Sequence, residues 1–213
     1  MIDKSNANTY VGAKFSSGIL PPEMIHRFLG KAGEEGLAAY KEYFAQLKSD
    51  DLEHWKKVQP MVQNKDATSY AVKTFLTTEA EGVIKDVDKL PYDLVLASQS
   101  IDLWSLGVMV YKFETGQDLF NIDQQKDDLK KYEDMEKLAC WDDKKMNDAI
   151  QEVKDFKARD LLGKLLSKES EKRGTITEAL NHPYITGEEM INPDTMMKSS
   201  NLHQSKLARG NVW

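Results

Sequence analysis

One stretch of this 213-residue chain constrains its fold more than any other: residues 101–113 are apolar around almost the whole circumference of a helix. Ile101, Trp104, Val108 and Met109 would point in different directions from such a helix. A helix that is apolar on every side lies in the middle of a fold, and about 13 residues are too few to cross a bilayer. Gly116 supplies a stop. The sequence therefore predicts a domain built around one buried helix.

The segment before this helix is predicted to contain two amphipathic helices. Between residues 34 and 58, apolar side chains recur at helical spacing at Leu37, Tyr40, Phe44 and Leu47. Ser49, Asp50 and Asp51 interrupt the stripe and can cap a second short helix that ends near Val58. The stripe fits either two helices packed on a core or an exposed docking surface.

The remaining segments complete a mainly α fold with a possible small β-hairpin. Residues 1–20 are predicted to be an extended loop, Pro21-Pro22-Glu23 a helix start, and residues 68–78 a strand or hairpin. Helical spacing is found in residues 146–156, 158–166 and 175–181, with a capping-box pattern at Thr175 and Glu178. His182-Pro183 should end the last of these helices.

Composition excludes several classes of function. The net charge of −6 argues against nucleic acid or an anionic membrane as the main partner, because both demand a basic surface. No stretch approaches the roughly 18 apolar residues of a membrane span, and residues 1–10 do not resemble a secretory signal. We expect a cytoplasmic protein, with the nucleus left open.

Cysteine and histidine usage argues against a disulfide framework or a metal centre built by this chain. Cys140 is the single cysteine, and its small apolar surroundings favour a core position. The four histidines are scattered and show no ligand spacing. We therefore expect no metal held by the chain's own histidines.

Four sequence features occur in one order along the chain. They are GAKFSSGILPPEM at 12–24, SIDLWSLGVMVYKFETGQDLF at 100–120, ARDLLGKLLSKESEKRGTITEALNHPYI at 158–185, and Arg173 inside the last. Together they resemble the C-terminal lobe of eukaryotic protein kinases of the serine/threonine type. Pro21-Pro22-Glu23 matches the family's Ala-Pro-Glu, and residues 102–107 match its Asp-x-Trp-Ser-x-Gly. His182-Pro183 matches the His-Pro before the lobe's final turn.

The resemblance implies an organisation for the whole chain. Residues 1–187 would form the kinase-like lobe, with the end of the activation segment at 1–24, a family-atypical insert at 26–94, and the central and C-terminal helices at 95–187. Residues 188–213 would be a loose tail. The insert resembles those of divergent kinases of oomycetes and diatoms.

Several residues acquire structural roles from the resemblance. Glu23 and Arg173 would form the family's buried ion pair, and the alternative is two surface charges that contribute little. In the family, the aspartate at the position of Asp102 accepts hydrogen bonds from the catalytic loop. The alternative for Asp102 is a carboxylate that caps its own helix. Trp104, Gly107 and His182 are the other structural motif positions.

The resemblance also suggests residues near substrate and metal. Ser16 aligns with the activation-segment threonine of serine/threonine kinases, and Ser17 and Gly18 would line the shelf for substrate. The alternative is an ordinary Ser/Gly-rich loop. Asp3 lies where the metal-binding aspartate would open the activation segment, but Lys4-Ser5 departs from the Phe-Gly that follows in the family. Asp3 therefore fits an ordinary terminal aspartate as well.

The parts that perform phosphoryl transfer have no counterpart in the sequence. It contains no G-x-G-x-x-G run and no His-Arg-Asp…Asn loop. ATP and Mg are therefore expected in the complete kinase domain, and no cofactor is expected for this chain alone. The chain by itself would be inactive, and it would need the missing N-terminal lobe and a protein substrate or partner. Two hypotheses follow: part of an active serine/threonine kinase, or a catalytically dead kinase-like module that binds partners. An unrelated helical scaffold would require the four motifs to be coincidental.

Overall fold

The structure, a computed structural model, describes residues 7–12, 17–50, 62–65, 68–77, 83–123, 128–129 and 131–192. These residues form a mainly helical fold, as the sequence predicts. The α-helices described are α1 (Gly30–Asp50), α2 (Gln99–Thr115), α3 (Tyr132–Ala139), α4 (Asp143–Ile150), α5 (Phe156–Leu165), α6 (Ile176–Leu180) and α7 (Pro183–Thr186). The strands described are β1 (Ile25–Leu29), β2 (Val62–Lys65), β3 (Thr68–Val72), β4 (Ile122–Asp123) and β5 (Asp128–Leu129).

Helix α2 is the central helix that the sequence predicts. It ends at Gly116, which adopts the left-handed conformation (φ 72°) and donates its N–H to the carbonyl of Lys112. The expectation of burial on every side is wrong for one face, because Met109 is 46% and Phe113 79% exposed. Gly107 lets α2 approach α5 closely: a Cβ there would lie 2.9 Å from the Leu165 Cβ.

The largest apolar cluster joins α2 to the three helices that follow it. Trp104 of α2 and Trp141, between α3 and α4, are fully buried, and their rings meet edge to face with centroids 5.8 Å apart. The Trp141 indole N–H donates to the carbonyl of Leu166 at 2.8 Å. Ile25 and Tyr70 belong to the same cluster. The segment 26–94 therefore shares its core with the central helix.

Segment 26–94 contains a three-stranded antiparallel sheet with the order β1-β3-β2. Ile25 lies opposite Val72, and Val62 lies opposite Ala71. The strand or hairpin predicted at residues 68–78 is confirmed as a strand, because β3 begins at Thr68 and ends at Val72. Strand β1 was not predicted. The helix start expected at Pro21-Pro22-Glu23 is wrong, because one 3₁₀ turn (Pro22–Met24) leads into an extended Ile25 that pairs with β3.

Helix α1 packs its aromatic stripe against this sheet. Tyr40, Tyr43 and Phe44 are buried in a cluster with Phe28 of β1 and Ala71 of β3. The predicted stripe is thus a packed face. The helix begins at Gly30, before the predicted start, and continues to Asp50 through the predicted interruption. The second short helix expected up to residue 58 lies outside the described residues.

The C-terminal helices follow the sequence closely, with one correction. The helical spacing at residues 146–156 extends over two helices, because α4 ends at Ile150 and Phe156 begins α5. Asp155 caps α5 by accepting from the N–H groups of Lys157 and Ala158, which forces the chain to start a new helix. The capping box of Thr175 and Glu178 at α6 is confirmed.

Candidate functional site: the clamp at the base of the lobe

Arg173 binds Glu23 through a two-pronged ion pair. Nη1 donates to Glu23 Oε1 at 2.6 Å and Nη2 donates to Oε2 at 2.8 Å. The other three N–H donors reach backbone carbonyls: Ser167 from Nε at 2.9 Å, Ser100 from Nη1 at 3.1 Å and Lys168 from Nη2 at 3.1 Å. All five donors of the guanidinium are thus engaged. We call Arg173, Glu23 and these carbonyls the clamp.

The clamp lies in a largely dry environment. The Arg173 side chain is fully buried, Glu23 is 26% exposed, and the guanidinium stacks 5.1 Å from the centre of the Trp104 ring. Burial lowers the pKa of nearby Lys73, and the carboxylates of Asp93 and Glu23 oppose that shift. The clamp joins the turn before β1 to the end of the 3₁₀ turn Ser170–Arg173, which also contacts the first turn of α2.

Asp102 occupies the first turn of α2 with its side chain exposed to solvent. Within the described residues it accepts no hydrogen bond, and the helix has no side-chain cap at Ser98. Among the described residues, the Asp102 carboxylate therefore does not cap its own helix, contrary to that alternative. It stands on the same open face as Met109 and Phe113, seven and eleven residues further along the helix.

Ser17 and Gly18 are buried rather than open to a substrate. Asp128 Oδ1 accepts from the Ser17 hydroxyl at 3.0 Å and from its N–H at 3.2 Å. The Ser17 hydroxyl oxygen in turn accepts from the N–H of Leu129 at 2.8 Å. Sequence reasoning did not find this Ser17–Asp128 contact, which joins residues 111 positions apart. Ser16 and Asp3 lie outside the described residues.

His182 links α7 to α5. Its Nδ1 accepts from the N–H of Tyr184 at 3.2 Å, so its Nε2 carries the hydrogen and donates to Asp160 Oδ2 at 2.9 Å. The hydroxyl of Tyr184 lies 2.8 Å from Glu114 Oε1, and burial together with this hydrogen bond raises the pKa of Tyr184 to about 12. These contacts fasten the end of the lobe to α2 and α5.

The contacts of the clamp, Ser17 and His182 join segments that are distant in sequence. Among the described residues, no group of three or more His, Cys, Asp or Glu is placed to hold a metal ion. In the same part of the chain, no helix combines the length and apolar character needed to cross a membrane.

Comparison with known proteins relates one part of the chain to a family. Residues 94–185 match the family model of the protein kinase domain. This part of the chain is similar to a protein kinase domain. The match begins just before α2 and ends within α7, so the central helix and the Arg173 side of the clamp lie inside it.

Curated protein kinases are also similar to part of the chain. The chain is 34% identical over 113 residues to myosin light chain kinase family member 4 of Mus musculus, covering 52% of this chain and 26% of the relative. An Aurora kinase of Debaryomyces hansenii is 29% identical over 111 residues, covering 51% and 24%. The chain thus spans about a quarter of the length of these relatives.

A solved structure titled as the Rad53 kinase domain and SCD2 in complex with AMPPNP is also similar in part. It is 18% identical and covers 84% of this chain and 70% of the other, with a TM-score of 0.31. At that score the likeness does not bear on the fold or on nucleotide binding.

Proposed function

We propose that this chain supplies the C-terminal lobe of a protein serine/threonine kinase, whose complete domain transfers phosphate from ATP to serine or threonine of a protein substrate. The clamp is the observation that carries the proposal. Glu23 follows a sequence that resembles the end of an activation segment, and Arg173 lies in the segment that matches the kinase family. Because all five N–H donors of Arg173 are bonded, two of them to the Glu23 carboxylate, the arginine would hold the end of the activation segment at a fixed place on the lobe.

The open face of α2 supports the presence of a further part of the domain. Met109 and Phe113 are large apolar side chains exposed on an otherwise buried helix, and an exposed apolar strip commonly marks an interaction surface. Asp102 lies on the same face, where the resemblance places the catalytic loop. We propose that the catalytic loop and the N-terminal lobe of the complete kinase cover this face.

ATP and Mg belong to the complete domain in this proposal. The described residues do not fit either group, because they offer no phosphate-binding glycine-rich loop and no carboxylate set for a metal. The chain alone is therefore expected neither to bind Mg-ATP nor to transfer phosphate. Isothermal titration calorimetry of the purified chain checks this, and magnesium-dependent nucleotide binding would contradict it.

We keep the segment 16–18 as the proposed contact for a protein substrate. Ser17 is buried against Asp128, so a substrate would reach this segment only after the Ser17–Asp128 contact opens. Protein substrates and partner proteins remain the expected partners, and a cytoplasmic location remains part of the proposal.

The test is to sequence the transcript upstream of the codon for Met1 and express any longer reading frame. A glycine-rich loop and a His-Arg-Asp loop in that frame, with transfer of labelled phosphate from Mg-ATP to serine or threonine peptides, would support the kinase. A matched variant with the loop aspartate replaced by asparagine should lose the transfer. A frame without these motifs would contradict it and favour the second candidate.

That second candidate is a catalytically dead kinase-like module that binds partner proteins. It is favoured by segment 26–94, which lies outside the family match yet packs into the same core as α2. An insertion built into the core adds a folded surface that the matched segment lacks. Under this candidate, the protein would bind partners with the same affinity whether or not nucleotide is present.

A further inference from the structure

The segment between the sheet and α2 lines a groove that is half open to solvent. Its volume is about 600 Å³, and nine of the described residues line it. Seven of these are apolar or aromatic, among them Tyr10, Leu90, Pro91 and Leu96. The other two are Asp88 and Asp93, and none is basic.

The walls of the groove are fixed by hydrogen bonds rather than by packing alone. Val11 donates its N–H to the carbonyl of Val95 at 2.8 Å, and Ala97 donates to that of Thr9 at 3.0 Å. These bonds hold Tyr10 beside Leu96.

Tyr92, another residue of the lining, is also held in place by hydrogen bonds. Its hydroxyl donates to the carbonyl of Thr74 at 2.8 Å and accepts from the Thr74 N–H at 3.1 Å. Burial raises the pKa of Tyr92 far above its ordinary value, so the hydroxyl keeps its proton. A groove formed in advance loses little conformational entropy when a ligand binds.

The charge of the groove is negative. Lys89 is held by Asp86 at 2.9 Å, which leaves Asp88 as an exposed carboxylate at the groove. Asp93 also faces the groove and is partly balanced by the half-buried Lys73. A cationic group entering the groove therefore meets carboxylates and, among the described residues of the lining, no competing cation.

We propose that this groove docks an extended peptide of a partner protein in which lysine or arginine alternates with bulky apolar residues. The apolar walls and the exposed Leu96 would take the apolar side chains, and Asp88 and Asp93 would attract the basic ones. The open shape favours a peptide over a small molecule, because small ligands bind where most of their surface is enclosed. This inference does not depend on kinase activity.

The test measures fluorescence anisotropy with the full chain and a fluorescein-labelled peptide that alternates leucine with arginine. Saturable binding is expected, with none for a peptide in which glutamate replaces each arginine. The variant D88N/D93N should bind about tenfold more weakly, as expected when two exposed charge pairs are lost. The matched variant E35Q/E42Q changes two exposed carboxylates of α1 by the same total charge and should bind normally.

A second measurement locates the site independently of affinity. Hydrogen exchange at the amides of Val11 and Ala97, which close the wall of the groove, should slow when the basic peptide is added. Leu96→Ser should weaken binding, whereas Leu180→Ser should not, although Leu180 on α6 is the more exposed of the two leucines.

Three results would overturn the proposal. If D88N/D93N and E35Q/E42Q lose the same amount of affinity for the leucine–arginine peptide, the peptide is attracted to the acidic protein as a whole and not to the groove. Binding confined to a peptide copied from residues 195–213, with none for the leucine–arginine peptide, would make the occupant the chain's own basic segment. Concentration-dependent self-association that D88N/D93N abolishes would make the occupant a second copy.

Discussion

Replacing Glu23 by glutamine removes the carboxylate from the clamp while leaving the guanidinium of Arg173 in place. The buried arginine then keeps its charge and its three carbonyl partners but loses its counter-ion. Breaking a buried pair from one side costs about 3–5 kcal/mol. Glu23 is about a quarter exposed, so we expect the lower end, about 3 kcal/mol. Against a typical total of about 5–15 kcal/mol, that is a large fraction of the stability.

Urea unfolding followed by tryptophan fluorescence measures this loss. Trp104 lies under the Arg173 guanidinium, so its emission reports on the same region. The urea midpoint should fall by about 1–3 M, given a slope of about 1–3 kcal/mol per molar urea. The matched control is Asp148→Asn, which breaks an exposed pair with Lys144 and should leave the midpoint unchanged.

The reasoning predicts a specific result for the double variant as well. Arg173→Met combined with Glu23→Gln should lose less stability than the sum of the two single losses, because neither charge is left unpaired. If Glu23→Gln shifts the midpoint no more than Asp148→Asn does, the clamp is not a buried ion pair in solution and the proposal loses its main support.

Three further outcomes test the packing, the protonation and the turn contact. Gly107→Ala should crowd α5 at a cost of about 1–3 kcal/mol, against a gain of up to about 1 kcal/mol in helix propensity. The urea midpoint should therefore fall, and a higher midpoint would contradict this. Burial and the nearby Lys73 lower the pKa of His26 below 6.5, so the unfolded chain binds more protons and stability falls as the pH drops through 6.5. NMR titration of the His26 imidazole should show this low pKa, and Lys73→Met should raise it part of the way, whereas a midpoint at or above 6.5 would refute the assignment. Ser17→Ala leaves the buried N–H of Leu129 without its acceptor, at a cost of about 1–3 kcal/mol. That amide should exchange faster, and unchanged protection would show that the hydroxyl is dispensable.

Helices, helix ends and caps could be predicted from local sequence patterns, because residues close together in sequence determine them. Helix α2 follows from its apolar composition, its end from Gly116, and the cap of α6 from Thr175 and Glu178. The clamp could be predicted only through the resemblance to a family, because no periodicity relates residue 23 to residue 173. The structure places these two residues in direct contact, while their role in a kinase remains the proposal.

The remaining features depend on partners that are distant in sequence. Strand β1 follows a proline turn that looks like a helix start, and it becomes a strand because β3, more than 40 residues later, offers backbone partners. Asp102 was expected to find a hydrogen bond but faces solvent. Ser17 was expected at a surface, and Asp128 buries it. In each case, the surroundings that determine the outcome arise only in the tertiary structure.

The 150-residue separation between Glu23 and Arg173 also bears on how the chain is made. Ribosomes add about 5–20 residues per second, so Glu23 is synthesised roughly 8–30 s before its counter-ion. During that interval, the sheet and α1 can form from neighbouring segments, but the base of the lobe cannot close. The base of the lobe can therefore reach its native arrangement only after Arg173 has been synthesised. A newly made chain truncated before Arg173 would present the apolar core around Trp104 to the cell's chaperones.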